Sequence, residues 1–250
     1  MSSSEFKYAA EGAYHFSATY NPRLRRFDPR ADARYEVPLA LLRKQGALAS
    51  GKRGLDVGCG DGVMLFKILR AGGVALGIDL SLAGLHLARA EIQRRAGAAP
   101  VLARASACAL PLADGSVDFA TSIEVIEHLA DADGHVAELR RVLAPRGVLV
   151  VTTPHRLPSG ALQDPYHVIE YDAAGLAAVL GRHFASVEVR GMYPELLDRL
   201  YYRASGFIPL DKVVRGGFKV VSRCLLNPYV HMLKSQPRSG WRNLVALCRA

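Results

Sequence analysis

The sequence has no CxxC pair, no low-complexity tract and no apolar run long enough to span a bilayer. Its cysteines, Cys59, Cys108, Cys224 and Cys248, stand far apart, so neither a zinc knuckle nor a disulfide framework is expected. A reducing cytoplasm is the expected setting. Charge or glycine breaks every apolar stretch before the roughly 18 residues that a spanning helix requires. Residues 1–8, MSSSEFKY, lack the apolar core of a secretory signal. The 23 glycines and 13 prolines among 250 residues carry no collagen-like period. Half of the residues are hydrophobic and 22% are charged, which is the usage of a folded chain and not of a disordered one.

Charge of one sign is missing from the centre and gathered at the end. Residues 1–50 carry 8 Lys and Arg against 5 Asp and Glu, residues 51–190 carry 14 against 15, and residues 191–250 carry 10 against 3. A uniformly basic nucleic-acid binder would not show this gradient. A basic C-terminal quarter fits an acidic partner: a phosphorylated substrate, an anionic membrane surface or RNA. It fits a solvated surface equally well.

From residue 53 the pattern becomes regular. GLDVG (54–58), VALGID (74–79), PVLARA (100–105), VDFATSI (117–123) and VLVVTT (148–153) read as strands. Between them, residues 63–71, 82–96 and 131–143 carry apolar residues at helical spacing. A helix over 173–182, a strand over 185–191 and a last strand over 244–249 complete the series, and residues 31–45 read as a preceding helix despite Pro38. Strand–helix alternation implies a mostly parallel, doubly wound α/β sheet that binds ligands beyond the carboxyl ends of its strands. We expect one domain over 1–250: an N-terminal helical arm (1–50), a core (51–192), a lid insertion (193–240) and a terminal strand (241–250).

The first strand runs into Asp56-Val-Gly58-Cys59-Gly60-Asp61-Gly62 and then a helix. Glycines let a backbone turn sharply and approach a ligand, and the helix N-terminus behind them offers free N–H groups. Asp79 ends the second strand 23 residues after Asp56, where an acid can accept both hydroxyls of a ribose. The loop is GxGxG, not the wider GxGxxG of dinucleotide binders, which disfavours an NAD-dependent oxidoreductase. Its acids Asp56 and Asp61 would repel a pyrophosphate but suit a cationic ligand.

LDVGCGDG, GIDLS, ALPLADGSVDFATSIEVIEHL and LRRVLAPRGVLVVTTP resemble successive motifs of the class I S-adenosylmethionine-dependent methyltransferases, over about residues 53–191 with the strand 244–249. The resemblance implies a Rossmann-like, seven-stranded sheet with its last strand antiparallel. It implies that Asp56, Gly58, Cys59 and Gly60 line the methionine end of S-adenosylmethionine, with S-adenosylhomocysteine as product. Asp79 would hold the ribose, Leu80 and Ala107 would lie beside the adenine, and Glu124 would close the cofactor site. The family often places an aspartate where this chain has Ser106, so the adenine contact is expected to be weaker or to come from the neighbouring backbone.

Glu124-Val-Ile-Glu127-His128 follows the fourth strand, and on a helical turn its two acids and histidine can share one side. His167 follows the fifth strand. Three readings stay open. His128 acts as general base, with Glu127 and His167 beside it. Alternatively Glu124, Glu127, His128 and His167 hold a divalent metal that lowers the pKa of a substrate hydroxyl, similar to the ExxEH…H arrangement of small-RNA 2′-O-methyltransferases and ubiquinone-pathway O-methyltransferases. Or the acids favour a helix N-terminus and His128 packs. His155, which follows the fifth strand, could line the same pocket but reads rather as a loop residue.

Residues 198–234 interleave seven Lys and Arg with five aromatic residues. They fit a helical lid, an anionic membrane surface or a phosphorylated substrate. The expected activity is methyl transfer to an oxygen of a small-molecule, lipid-linked or saccharide acceptor, in the cytoplasm or peripherally at the membrane. The rivals are a metal-dependent RNA ribose 2′-O-methyltransferase and a non-catalytic cofactor-binding protein.

Overall fold

The computed structural model describes residues 12–20, 27–194, 217, 219–221, 227–235, 237 and 240–250. Among the described residues, two helices precede the sheet, α1 (Tyr14–Tyr20) and α2 (Pro29–Lys44). Asp28 caps α2, its carboxylate accepting from the N–H groups of Arg30 and Ala31, and Pro29 occupies the first turn, where its missing N–H costs nothing. Then β1 (Arg53–Val57), α3 (Val63–Arg70), β2 (Val74–Asp79), α4 (Leu82–Ala96), β3 (Val101–Arg104) and β4 (Val117–Ile123) alternate. A single 3₁₀ turn, Ile126–His128, leads to α5 (Ala132–Val142), β5 (Leu143–Pro154), α6 (Ala173–Gly181) and β6 (Ser186–Pro194). The short helix α7 (Pro228–His231), β7 (Lys234–Ser235) and β8 (Trp241–Arg249) end the chain.

The strand order is β3-β2-β1-β4-β5-β8-β6-β7. β3, β2, β1, β4 and β5 are parallel, and β8 inserts antiparallel between β5 and β6. The doubly wound sheet and its antiparallel last strand therefore match expectation, but among the described residues the strands number eight, not seven. The eighth, β7, pairs only two residues with β6. A pair that short, Lys-Ser, carries no alternation that a sequence reading could use.

Apolar residues cover both faces. On one side α1, α2 and α3 bury Phe16, Leu42, Phe66 and Ile68 against Phe119, Val150 and Val245. On the other, α5 and α6 bury Val136, Leu139, Leu176 and Leu180 against Leu149, Val151 and Ala246. Each such side chain contributes about 1.5–3 kcal/mol on burial. Trp241 lies against Gly191, where an added Cβ would come within 2.7 Å of the indole, so its role is packing.

Most of the expected lid, and with it most of the basic aromatic segment 198–234, lies outside the described residues. Among the described residues, no helix is long and apolar enough to cross a membrane.

Candidate active site

At the carboxyl ends of β1, β2, β4 and β5 lies a cavity of about 650 Å³. Its walls include Asp56, Gly58, Cys59, Gly60, Asp79 and Leu80 on one side, Ser106 and Ala107 on a second, and Glu124, Glu127, His128 and His167 on a third. Tyr14, His15, Arg30 and Arg34 of the two N-terminal helices roof it. One space thus receives the residues named above for cofactor, base and metal, whereas Asp61 and His155 do not line it.

The glycine loop has the backbone that its composition demands. Gly58, Gly60 and Gly62 have φ of 69°, 52° and 88°, the left-handed region that other residues enter at a cost. At Gly58 a Cβ would also stand 2.3 Å from Val125 Cγ2. The N–H groups of Gly58 and Cys59 donate to the Ile78 carbonyl at 2.7 and 3.0 Å, which ties the loop to the end of β2. The Asp79 carboxylate accepts from Gly60 N–H and Ser81 N–H, both at 2.8 Å. Burial still raises the Asp79 pKa, because those donors offset only part of its desolvation. Asp56 is 1% exposed; one oxygen accepts from the Thr121 hydroxyl at 2.7 Å and the other is buried without a partner. Desolvation pushes its pKa up to about 7. The Cys59 thiol is buried beside Gly77 and burial pushes its pKa well up, so it stays protonated.

Asp61 does something else. Its carboxylate accepts from the N–H groups of His15 and Phe16, at 3.0 and 3.3 Å, and meets His15 Nδ1 at 3.2 Å. It caps α1 from 45 residues away and fastens the arm onto the loop, instead of facing the cavity as a ligand group. Nothing local in the sequence signals a cap supplied by tertiary contact.

The segment after β4 departs from the expected helical turn. Glu124 precedes the 3₁₀ turn with φ of 56°, a conformation rare for a residue with a side chain and seen where surrounding contacts enforce it. Those contacts are Thr152 Oγ1, which donates at 2.8 Å, Asn243 Nδ2, which donates at 2.9–3.0 Å to both carboxylate oxygens, and Arg34 Nε at 3.8 Å. Burial alone would lower the Arg34 pKa, but Glu124, Tyr193 and Glu127 around it raise it, so the guanidinium is firmly charged. The reversal at Glu124 separates it from Glu127 and His128.

Ligand atoms of Glu127, His128 and His167 instead lie within 4.8 Å of one another, without Glu124. Glu127 is fully buried; one oxygen accepts from Thr153 Oγ1 at 2.9 Å and the other has no partner. Its burial, with Glu124 nearby, raises its pKa well above the usual carboxylate range. His128 Nδ1 donates to the Tyr166 carbonyl at 3.1 Å and His167 Nδ1 pairs with Glu170 at 2.6 Å. A carbonyl only accepts, so Nδ1 of His128 carries a proton, and in the neutral ring Nε2 is the lone-pair nitrogen. The two rings sit edge to face, 4.9 Å between centroids. Glu170 was not anticipated. His155 is buried, its Nδ1 bonded to the Trp241 carbonyl, and does not line the cavity.

Residues 55–151 match the family described as methyltransferase domain. A relative in Mycolicibacterium smegmatis named probable S-adenosylmethionine-dependent methyltransferase is 34% identical over 151 residues, 59% of this chain and 56% of that protein. The ubiquinone biosynthesis O-methyltransferase of Nitrosococcus oceani is 34% identical over 131 residues, 50% of this chain and 52% of its own. The chain thus spans about half the length of the curated relatives it matches. In structure, the Haemonchus contortus phosphoethanolamine N-methyltransferase 2 in complex with S-adenosyl-L-methionine superimposes with a TM-score of 0.66 at 18% identity, covering 100% of this chain and 60% of that one. The [4+2]-cyclase SpnF gives 0.60 at 21% identity, covering 89% and 84%. These two likenesses show the fold. The match makes residues 55–151 a methyltransferase domain, similar in sequence to proteins named S-adenosylmethionine-dependent methyltransferases.

Proposed function

We propose that the chain transfers the methyl group of S-adenosylmethionine to an oxygen of a small acceptor, in a site that takes a divalent cation on Glu127, His128 and His167. The observation that carries this reading is the joining of two half-sites in one cavity: the Gly58–Gly60 loop with Asp79, and the Glu127–His128–His167 cluster. A fold shared with a [4+2]-cyclase does not fix chemistry, so the residues must.

On the cofactor side Asp79 would accept from the ribose hydroxyls. The buried, unpartnered oxygen of Asp56 would meet the methionine ammonium, and the ring of the adenine would rest on Leu80. Methyl transfer is an in-line displacement: the acceptor oxygen bonds to the methyl carbon, the carbon–sulfur bond breaks, and S-adenosylhomocysteine leaves. The protein contributes alignment, worth several kcal/mol when the reacting atoms are held about 3 Å apart.

On the acceptor side the residues fit a cation. Glu127 presents a buried oxygen with no partner in the protein. Glu170 holds His167 and the Tyr166 carbonyl holds His128, as partners of metal-bound histidines commonly do. When bound, a divalent cation supplies a lower pKa for an acceptor hydroxyl. Glu127 would ionise against it, and Thr153 would keep that carboxylate in place. Relatives named ubiquinone biosynthesis O-methyltransferases support an oxygen acceptor. A small-molecule, lipid-linked or saccharide body is consistent with a cavity of this size.

A second reading has His128 as a metal-free general base, favoured by the exposure of its ring and by the fixed tautomer that leaves Nε2 able to take a proton. Turnover assayed with a panel of phenolic and hydroxylated acceptors, with and without EDTA, tests both. Loss on chelation and recovery with Mg²⁺ or Mn²⁺ supports the cation. Chelator-insensitive turnover abolished by His128→Ala supports the base. Binding of S-adenosylhomocysteine with no transfer to any oxygen acceptor would overturn both.

A further inference from the structure

A buried histidine outside the Glu127–His128–His167 cluster bonds the strip of cavity wall that runs beside Leu80. The strip Ala105-Ser106-Ala107 lines the cavity and has little side-chain chemistry. Two of its residues are alanines, and the Ser106 Oγ accepts from Cys108 N–H at 3.2 Å. What remains to meet a ligand is main chain and the hydroxyl hydrogen of Ser106, and the position of the main chain matters. Ala105 N–H donates to the Asp79 carbonyl at 3.2 Å, which fixes one end. The other end is held by His135, fully buried on α5, whose Nδ1 lies 3.0 Å from the Ala107 carbonyl. Its Nε2 lies 3.0 Å from Ser122 Oγ on β4. Because the carbonyl can only accept, Nδ1 carries the proton, and the Ser122 hydroxyl donates to Nε2. Burial lowers the imidazole pKa, so this single neutral tautomer persists at physiological pH. Beyond the strip, Arg141 on the same helix bonds the Leu110 and Leu112 carbonyls at 3.0 and 2.7 Å, so α5 templates the whole segment.

Resting on the reading that the cavity takes an adenosyl cofactor, we propose that His135 is a positioning residue that keys the main chain of 105–107 to β4, so that this backbone reads the edge of the adenine. Main-chain N–H and C=O groups in register complement the adenine edge, which offers an amino donor beside a ring-nitrogen acceptor. Hypoxanthine reverses both polarities and is rejected by the same strip. His135 touches neither base nor methyl group; it acts through Ala107.

Isothermal titration of S-adenosylhomocysteine and S-inosylhomocysteine tests this. The wild-type chain should favour the adenine ligand by about tenfold or more, the scale of one hydrogen bond made or lost. His135→Leu fills the space but offers no donor; adenine affinity should fall about tenfold and the preference should shrink to about twofold. His135→Asn places an amide donor near the old Nδ1 and should recover most of the preference. Should the leucine variant not fold, His135→Gln, whose amide extends toward Ser122 and abandons Ala107, replaces it in the comparison with Asn. Ser106→Ala should leave the preference intact. A preference unchanged in the Leu or Gln variant, or one that collapses in Ser106→Ala, overturns the assignment. If the wild-type chain binds neither ligand, the cofactor reading itself falls, and this inference with it. If it binds the adenine ligand without preference, only the inference falls.

Discussion

The carboxylate of Asp61 holds the N-terminal arm over the cofactor loop, and its removal should undock the arm without unfolding the sheet. Asp61 is 1% exposed and accepts from two backbone N–H groups at the start of α1 and from the His15 ring. Loss of a helix cap costs about 1 kcal/mol, and hydrogen bonds to a charged acceptor contribute about 1.5–3 kcal/mol. In Asp61→Ala the stranded N–H groups can recover water once the arm lifts, so about 2 kcal/mol is a reasonable loss for docking, or about 30-fold in the ratio of docked to undocked arm. Opposing this, Phe16 stays attracted to its buried place against Phe66, 5.6 Å between ring centroids, and Arg95 lies 5.0 Å over its face. The arm should therefore open more often yet remain docked most of the time. Hydrogen exchange read by mass spectrometry on a peptide covering 14–20 should speed up about 30-fold in Asp61→Ala and far less in Asp61→Asn, which retains an accepting oxygen. Peptides from β1 and β4 should be unchanged. Equal protection in wild type and Asp61→Ala, with the sheet intact by circular dichroism, would refute the idea that this carboxylate fastens the arm. Because Tyr14 and His15 roof the cavity, affinity for S-adenosylhomocysteine should fall in the same variant.

Gly58→Ala should destabilise the chain by about 2 kcal/mol, combining a left-handed φ with a Cβ 2.3 Å from Val125 Cγ2; in Val125→Ala the same change should cost less, and equal shifts of melting temperature in both backgrounds would contradict the contact. Asp56 has a folded pKa of about 7, above its unfolded value near 4, so the folded state binds the extra proton and stability falls as pH rises between about 4 and 7, by at most about 4 kcal/mol. Asp56→Asn should flatten that part of the profile, and parallel urea midpoints for the two proteins across that range would refute the assignment. A cationic ligand favours the ionised carboxylate, so binding of S-adenosylmethionine near pH 6 should release a proton, measurable from titration enthalpies in buffers of differing ionisation heat. Glu170→Gln should weaken divalent-cation affinity about 10- to 100-fold, through the orientation of His167, while leaving S-adenosylhomocysteine affinity unchanged; a Glu170 variant with full cation affinity would detach it from the cluster.

The glycine-loop wall of the cavity was legible because its geometry is local. Strand, glycine loop, helix and strand-end acid lie within residues 53–81, and each residue type answers a backbone requirement that the fold then displays: positive φ at Gly58, Gly60 and Gly62, and a carboxylate at Asp79 facing the loop. The wall that carries Glu124, Glu127, His128 and His167 is built by long-range pairing, and the sequence carries few traces of it. Glu124 and Glu127, three residues apart, were expected on one side of a helical turn, but β8 brings Asn243 opposite Pro154 and draws Glu124 away. Arg34 reaches the same carboxylate from a helix 90 residues earlier. Glu170 and His167 are three residues apart, but the pair reaches the cluster because the segment after β5 folds back, with Val168 and Ile169 N–H donating to the Glu127 carbonyl. That fold-back also explains why the reacting cluster is compact: the same main-chain bonds that seat residues 168–169 bring His167 to His128, so the buried Glu127 supplies its carbonyl to the scaffold and its carboxyl to the site. A residue that ties the loop by its backbone and faces the ligand cluster by its side chain links loop order to site geometry. Glu127→Gln, which preserves the carbonyl, should accordingly keep the loop while abolishing the charge that a cation requires. Intact hydrogen-exchange protection at residues 168–169 alongside lost cation binding is the expected pair of results, and loss of both together would mean that the carboxyl itself, through Thr153, holds the loop in place.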